Sequence, residues 1–363
     1  MIKKLKKFTI QMVAGANALS ILIMFLVGYS DRLNPIDFPN LSNIGLAFPI
    51  FLLINLAFLV FWVIFKLRMT LIPILGFIIC FVPVRKYCPL NVTHEVPKGT
   101  IKVLSYNVWL FADWNSDLAK DNNIVKYIIE QNADIVCLQE ATPSQDKTKD
   151  VYPLLDKKYQ YRDTLMIGKV GDCIAVFSKY PILSHERIKY QSKGNISGAF
   201  KLKVDNDTIL LINNHLETTG LSPEDKTRFK RLVKGDLETD TAEQASRLLK
   251  DKLAEATKKR APEADAVAEY IMKHKDMPII LCGDFNDGPI SYVHRTISKD
   301  LTDCYITTAN GPGISYHRSG FYVRIDNIMC SNDFEPYGCK VDDDITDSDH
   351  YPIICWLRKR SKP

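Results

Sequence analysis

The 363-residue chain lacks the marks of several common chemistries. It has no Cys-x-x-Cys pair, so a structural zinc site is not expected. Nine cysteines are too few for a disulfide scaffold, and Cys137, Cys173, Cys282 and Cys355 lie inside apolar runs, where free buried thiols are expected. No glycine-rich phosphate loop and no internal repeat occurs. Neither a Gly-x-Ser-x-Gly elbow nor a Cys–His pairing signature offers an activated nucleophile. A net charge of +5 without a concentrated basic stripe neither requires nor excludes a nucleic-acid partner.

Long hydrophobic runs are plentiful, but they crowd into the first 85 residues. Residues 8–29, preceded by Lys3, Lys4, Lys6 and Lys7, and residues 44–65 each have about the 20 residues needed to cross a bilayer. A third segment, 69–84, is shorter and carries Pro73, Gly76 and Pro83. No small-x-small cleavage site follows the first run and a second comes soon after, which argues against a cleaved signal peptide. The N-terminal lysines, Lys66 and Arg68 are expected on the cytoplasmic side, with the loop Ser30–Asn43 facing outward. Arg85 and Lys86 oppose a third crossing, but three spans are the favoured count. The expectation is therefore an integral protein of a bacterial inner membrane: a membrane region (1–86), a linker (87–99) and an extracytoplasmic domain (100–358).

In that domain strand-like runs near 101–106, 134–138, 173–178, 199–204, 208–214, 278–283, 321–330 and 352–357 alternate with helical ones near 121–132, 241–274 and 290–298. The spacing suggests an α/β sandwich with mixed sheets rather than a purely parallel one. A charged stretch, about 218–262, reads as a solvated helical insertion, with a flap over the site as the alternative.

Five polar islands each follow an apolar run: Ser105-Tyr106-Asn107, Leu138-Gln139-Glu140, Asn214-His215-Leu216, Gly283-Asp284-Phe285-Asn286 and Ser348-Asp349-His350. A strand that delivers a polar group where its apolar stretch stops places it at a sheet edge. Several such edges make a pocket of carboxylates, amides and imidazoles, the composition hard-cation phosphate chemistry requires. Glu140, Asn107 and Asp349 are the candidate metal side, with Mg²⁺ the expected ion and Mn²⁺ a substitute. Asp284 and Asn286, spaced i and i+2, point the same way if the chain stays extended past Gly283. Asp284 would then orient the attacking water while Asn286 donates to the phosphoryl oxygen. His215 is a further donor, and Asp326 is the best carboxylate to fix His350.

Together these islands, with Arg324-Ile325-Asp326, resemble the endonuclease/exonuclease/phosphatase superfamily over roughly residues 100–358. That group includes pancreatic-type deoxyribonucleases, abasic-site endonucleases, neutral sphingomyelinases and inositol polyphosphate 5-phosphatases. The resemblance implies a four-layer α/β sandwich of two packed mixed sheets flanked by helices, here preceded by transmembrane helices. It implies a Mg²⁺-dependent phosphoesterase in which Asn107, Glu140 and Asp349 belong to the metal side. His215, Asp284 and Asn286 would handle phosphate and water, and Asp326 and His350 form an Asp–His pair. Gly171-Asp172-Cys173 matches the family's middle strand without assigning a role to Asp172. The phosphoester partner is a nucleic acid or a phospholipid headgroup, and the aromatic stretches Trp109–Trp114 and Gly313–Tyr322 suit either, or plain packing. The competing class is a membrane-displayed adaptor that keeps the fold without chemistry. An adaptor would be expected to have lost the Glu, the Asp-x-Asn or the Asp–His element, and all three are intact here.

Overall fold

The computed structural model describes residues 2–168, 171–192, 194–236, 239–318 and 320–360. The N-terminal region forms four helices, α1 (Ile2–Gly28), α2 (Phe48–Phe65), α3 (Leu71–Ile79) and α4 (Phe81–Tyr87). α1 and α2 are long and apolar enough to cross a membrane. The segment expected as one span, 69–84, is instead a pair of short helices bent by 71°. Pro83 explains the bend, because it has no N–H for the carbonyl of Ile79 and its ring crowds that group. The freed Ile79 carbonyl accepts the Tyr29 hydroxyl instead, at 3.0 Å. Inside the bundle Asn17 donates to Asn55 at 3.2 Å, Asn55 to Ser20 at 2.9 Å, and the Trp62 indole to Asn17 at 3.1 Å. All four residues are buried, so their polar groups are satisfied where neither lipid nor apolar side chains would do so.

The remainder builds two six-stranded sheets. The strands in chain order are β1 (Ile101–Asn107), β2 (Ile135–Gln139), β3 (Tyr161–Met166), β4 (Cys173–Ser178), β5 (Ile182–Arg187) and β6 (Ile196–Val204). They continue with β7 (Asp207–His215), β8 (Ile279–Asp284), β9 (Thr302–Asp303), β10 (Asp326–Cys330), β11 (Phe334–Val341) and β12 (Ile353–Lys359). One sheet runs β11-β12-β1-β2-β4-β3 and the other β5-β6-β7-β8-β10-β9. Their facing sides bury Val103, Cys137, Val176, Phe200, Leu211, Cys282 and Ile328. The outer faces bury Leu104, Leu138 and Phe177 beneath helices Asn123–Gln131 and Tyr152–Lys158, and Leu210, Leu281 and Met329 beneath helices Thr239–Lys273 and Tyr292–Ile297. This is the expected four-layer sandwich of mixed sheets. All nine cysteines are free, and Cys137, Cys173, Cys282 and Cys355 are buried.

Two further sequence readings change. The strand expected at 321–330 begins only at Asp326, with Val323 held by a lone bridge to Tyr316. The charged stretch forms helix Pro223–Lys234 and the first half of helix Thr239–Lys273, and it is not simply solvated; its residues 237–238 lie outside the described set. Thr257, Arg260 and Ala261 are buried. Arg260 Nη1 donates to the Glu217 carbonyl at 2.8 Å, and Glu263 accepts the Glu217 amide at 2.7 Å. The helix thereby clamps the chain two residues beyond His215.

The two regions are packed together. Ile290 joins the apolar cluster of Met24, Val27, Phe48 and Cys80. Lys86 pairs with Asp31 at 2.7 Å, and Thr257 Oγ1 donates to Asn43 at 2.8 Å. Gly45 lies against the Ile290 carbonyl so closely that a Cβ would stand 2.3 Å from the oxygen.

Burial pushes the Glu263 carboxyl up to about 7 from 4.5, the nearby Glu217 charge adding to it. Because the folded value lies above the unfolded one, Glu263 imposes no penalty below pH 4.5, and stability is lost as pH rises through 7. The full cost is up to about 3 kcal/mol. Glu263→Gln should therefore melt higher than the parent at pH 8, the difference closing by pH 5, in thermal melts of the full chain in detergent. Equal differences at the two pH values would refute this.

Candidate active site

The two sheets share a design that gathers the islands. β1 pairs with β2 in parallel, with Asn107 opposite Gln139, and β7 pairs with β8 in parallel, with His215 opposite Asp284. Parallel neighbours end at the same edge, so four strand ends deliver their polar residues together. β10 runs antiparallel to β8 and starts there, Asp326 lying opposite Asp284. Gln139 and Asn213 do not face the site. Gln139 donates to Asn213 Oδ1 at 2.7 Å and Asn213 donates to the Leu138 carbonyl at 3.1 Å, a buried polar bridge between the sheets.

Asp284 is the hub. Asn107 Nδ2 donates to Asp284 Oδ2 and to Glu140 Oε1, both at 3.1 Å. Nε2 of His350 stands 3.6 Å from Asp284 Oδ2, and Nε2 of His215 stands 3.8 Å from it. Each imidazole is held from behind by a carboxylate. His350 Nδ1 meets Asp326 Oδ2 at 2.8 Å, and His215 Nδ1 meets Asp172 Oδ2 at 2.7 Å. Burial disfavours the charged imidazoles, but the facing carboxylates win and raise both histidines from 6.5 to about 10, with Asp172 dominant for His215 and Asp326 for His350. Burial lifts Asp284 from 3.8 to about 6, His350 opposing the rise and Asp326 adding to it.

The local backbone is shaped for this. Glu140 has φ +49° and Asn286 φ +51°, both in the left-handed region that ordinary residues avoid. Gly283 has φ +131°, and a Cβ there would sit 2.0 Å from the Asn214 carbonyl oxygen. The chain is thus not extended past Gly283, as the i, i+2 argument assumed. Asn286 folds back, its amide N–H donating to Asp284 Oδ1 at 2.7 Å and its side-chain amide to the Leu216 carbonyl at 3.0 Å and to Asp284 Oδ2 at 3.3 Å. Residues Trp109–Trp114 form a left-handed turn, six successive non-glycine residues at positive φ, beginning two residues after Asn107.

A cavity of about 250 Å³ opens above the hub. Glu140, Asp284, Asn286, Asp349 and His350 line it, while Asn107, His215 and Asp326 are buried one layer behind. Ser348 Oγ donates to the Asn107 carbonyl at 2.7 Å, which fixes the Asp349–His350 segment against β1. Trp109, Tyr316 and Phe321 from the two aromatic stretches reach the same cavity, as do Lys226 and Arg260 from the charged stretch. Ligand atoms of Asp284, Asp326 and His350 lie within 4.8 Å of one another, a group able to hold a metal ion.

The sequence reading missed Asp172, Arg260 and the flap contacts. Asp172 comes to the site because β4 is antiparallel to β2, so the residues at the start of β4 lie at the edge where β2 ends. No signal marked Arg260, which reaches the site only through helix packing.

Comparisons agree with this geometry. Residues 104–350 match the endonuclease/exonuclease/phosphatase family, and residues 10–87 match a domain of unknown function. No curated protein matches the chain. The human Nocturnin catalytic domain with bound sulfate superimposes with a TM-score of 0.50 at 16% identity, covering 73% of this chain and 97% of that one. ANGEL2, a 2′,3′-cyclic phosphatase crystallised with adenosine-2′,3′-vanadate, superimposes with a TM-score of 0.50 at 17% identity, covering 74% of this chain and 99% of that one. At such identities the two structures speak for the fold. The family match spans most of the chain, and with the site in place it supports one conclusion: the chain belongs to the endonuclease/exonuclease/phosphatase family of divalent-metal-dependent, phosphoester-hydrolysing enzymes.

Proposed function

We propose that the chain is a membrane-anchored, Mg²⁺-dependent phosphodiesterase, Mn²⁺ substituting, that hydrolyses its ester by direct attack of water. The observation that carries this reading is the buried Asp284 carboxylate set between two carboxylate-backed imidazoles.

Asp284, raised to about 6, is ionised at neutral pH yet basic enough to take a proton from water. His350, at the cavity wall and cationic, donates from Nε2 to a phosphoryl oxygen, and Asp326 keeps it oriented. His215, cationic and one layer back, supports Asp284 and Glu140, from which its Nε2 stands 3.6 Å. The amide hydrogens of Asn286 are engaged by Asp284 and Leu216, so Asn286 is better read as positioning Asp284 than as a phosphate donor.

The donor set fits a hard cation. Asp284 stands between two imidazoles and Asp326 behind one, whereas Glu140 and Asp349 open on the cavity, Glu140 with the single imidazole of His215 at 3.6 Å. Glu140 and Asp349 would hold the ion, which when bound offsets the charge of the phosphate, and Asn107, whose Oδ1 accepts the Trp109 N–H at 3.1 Å, would join them only with its amide turned over. The outward faces of α1 and α2 carry exposed Leu19, Leu22, Leu53 and Ile64, which suits a lipid surround. The Tyr29–Ile79 contact brings the end of α3 to the α1–α2 loop, which supports a third crossing and an extracytoplasmic catalytic domain.

Glu140→Ala and His350→Ala should each lower Mg²⁺-stimulated turnover of bis(p-nitrophenyl) phosphate by at least about 100-fold, with chelator abolishing the parent activity and Mg²⁺ restoring it. Full activity in both folded variants would remove the assignment. Asp172→Asn should lower kcat about 10- to 100-fold with KM little changed, since it frees His215 without touching substrate; unchanged kcat would show the dyad to be merely structural. Asn206, in an exposed turn, provides the topology test. In intact cells Asn206→Cys should react with an impermeant maleimide, and protection until lysis would reverse the orientation.

A further inference from the structure

The active-site cavity is not walled by the catalytic sheets alone. Asn43 and Leu46 line it alongside Glu140, Asp284 and His350. Both belong to the turn Ser42–Ala47, which leads directly into α2, a helix long and apolar enough to cross a bilayer. A second cavity, of about 100 Å³, shares Asn43, Leu46, Gly288 and Val323 with the first and reaches Pro49 in the first turn of α2 and Tyr87 at the end of α4. The two cavities, which also share Asp287, thus adjoin between the reacting centre and the tops of the N-terminal helices. Of its lining, Leu46 is 45% and Tyr322 60% exposed, and in the α1–α2 loop that leads to Leu46 the side chains of Ile36, Phe38 and Leu41 are each 49% exposed. Apolar side chains left in the open beside membrane-spanning helices suit the headgroup–acyl boundary of a bilayer.

The opposite wall has a matching character. Leu221, Leu253 and Phe321 present apolar surface to the same cavity, and Lys226 and Arg260 bring basic side chains to its lining. Lys226 Nζ is steadied by the Tyr316 hydroxyl at 2.8 Å, and Arg260 Nε lies 3.5 Å from Asp287.

We propose that the substrate is the phosphodiester of a membrane phospholipid, which enters from the bilayer past Leu46 with its apolar part left along the α1–α2 loop. This rests on the hydrolase reading above and names its substrate class. The water oxygen bonds to phosphorus and one phosphorus–oxygen ester bond breaks. The water's proton passes to Asp284, which lines the cavity and returns it to solvent, while the departing alkoxide takes up a proton from solvent, leaving a free alcohol and a phosphomonoester. The flap helices and the inter-span turn then act as walls that hold a single headgroup, and the anchor sets the height of the site above the bilayer.

The test uses the full chain reconstituted with Mg²⁺ in vesicles of phosphatidylglycerol, phosphatidylethanolamine and sphingomyelin. Single-stranded DNA and RNA oligonucleotides and bis(p-nitrophenyl) phosphate serve as parallel substrates. At least one vesicle lipid should be cleaved with kcat/KM about tenfold or more above either oligonucleotide. Leu46→Glu and Phe38→Glu should each lower vesicle turnover about tenfold more than they lower bis(p-nitrophenyl) phosphate turnover. Cleavage of oligonucleotides with the lipids untouched overturns the proposal and leaves the hydrolase reading standing. Equal losses on both substrates in the loop variants also overturn it. No hydrolysis of any substrate sinks the hydrolase reading, and this proposal with it.

Discussion

The active edge of this protein depends on keeping one carboxylate, Asp284, ionised while it is almost wholly buried. A buried charge is tolerated only when paired and hydrogen-bonded. The compensation comes from every side: an amide from β1, an imidazole from the end of β7, a second from the segment after β11, and the backbone N–H of Asn286. Each imidazole in turn is charged only because a further carboxylate stands behind it, Asp172 or Asp326. Two of these contacts, Asn107 to Asp284 and Asp172 to His215, join one sheet to the other and so depend on how the sheets meet. The buried Gln139–Asn213 bridge just below is another contact of this kind.

The same logic relates the appended parts to the site. Arg260 and Glu263 grip the backbone of Glu217 from the long insertion helix, and Thr257 reaches Asn43 in the α1–α2 loop. The segment after His215, the flap and the membrane-proximal turn are therefore tied to one another. A chain that carried the sheets alone would keep the reacting groups but lose much of the wall around them.

What could be read from the sequence follows a clear physical line. The strands anticipated from apolar runs are those with neighbours on both sides. Those missed, β3, β5, β9 and β11, are the four sheet edges. An edge strand such as β5, with Ser184, His185 and Glu186 exposed, has no need for a continuous apolar run. The islands were legible because a polar residue that ends a buried strand has few other uses. Asp172 escaped because it stands just before a strand, and its relevance depends on β4 running antiparallel to β2. Asn286 was assigned a free amide because an extended chain was assumed, whereas a left-handed backbone turns it onto Asp284.

By itself the sequence determined the reaction class, an α/β sandwich of mixed sheets and the presence of two membrane-compatible helices, since each follows from local runs and from residue types at their ends, while the four layers came with the family resemblance. Only the tertiary structure decided which carboxylate serves which histidine, how Pro83 divides the third apolar segment, and that Asn43 and Arg260 reach the reacting centre. These depend on strand direction, on a single bend and on helix packing between residues more than 200 positions apart in the chain, such as Asn43 and Thr257. No local pattern encodes them.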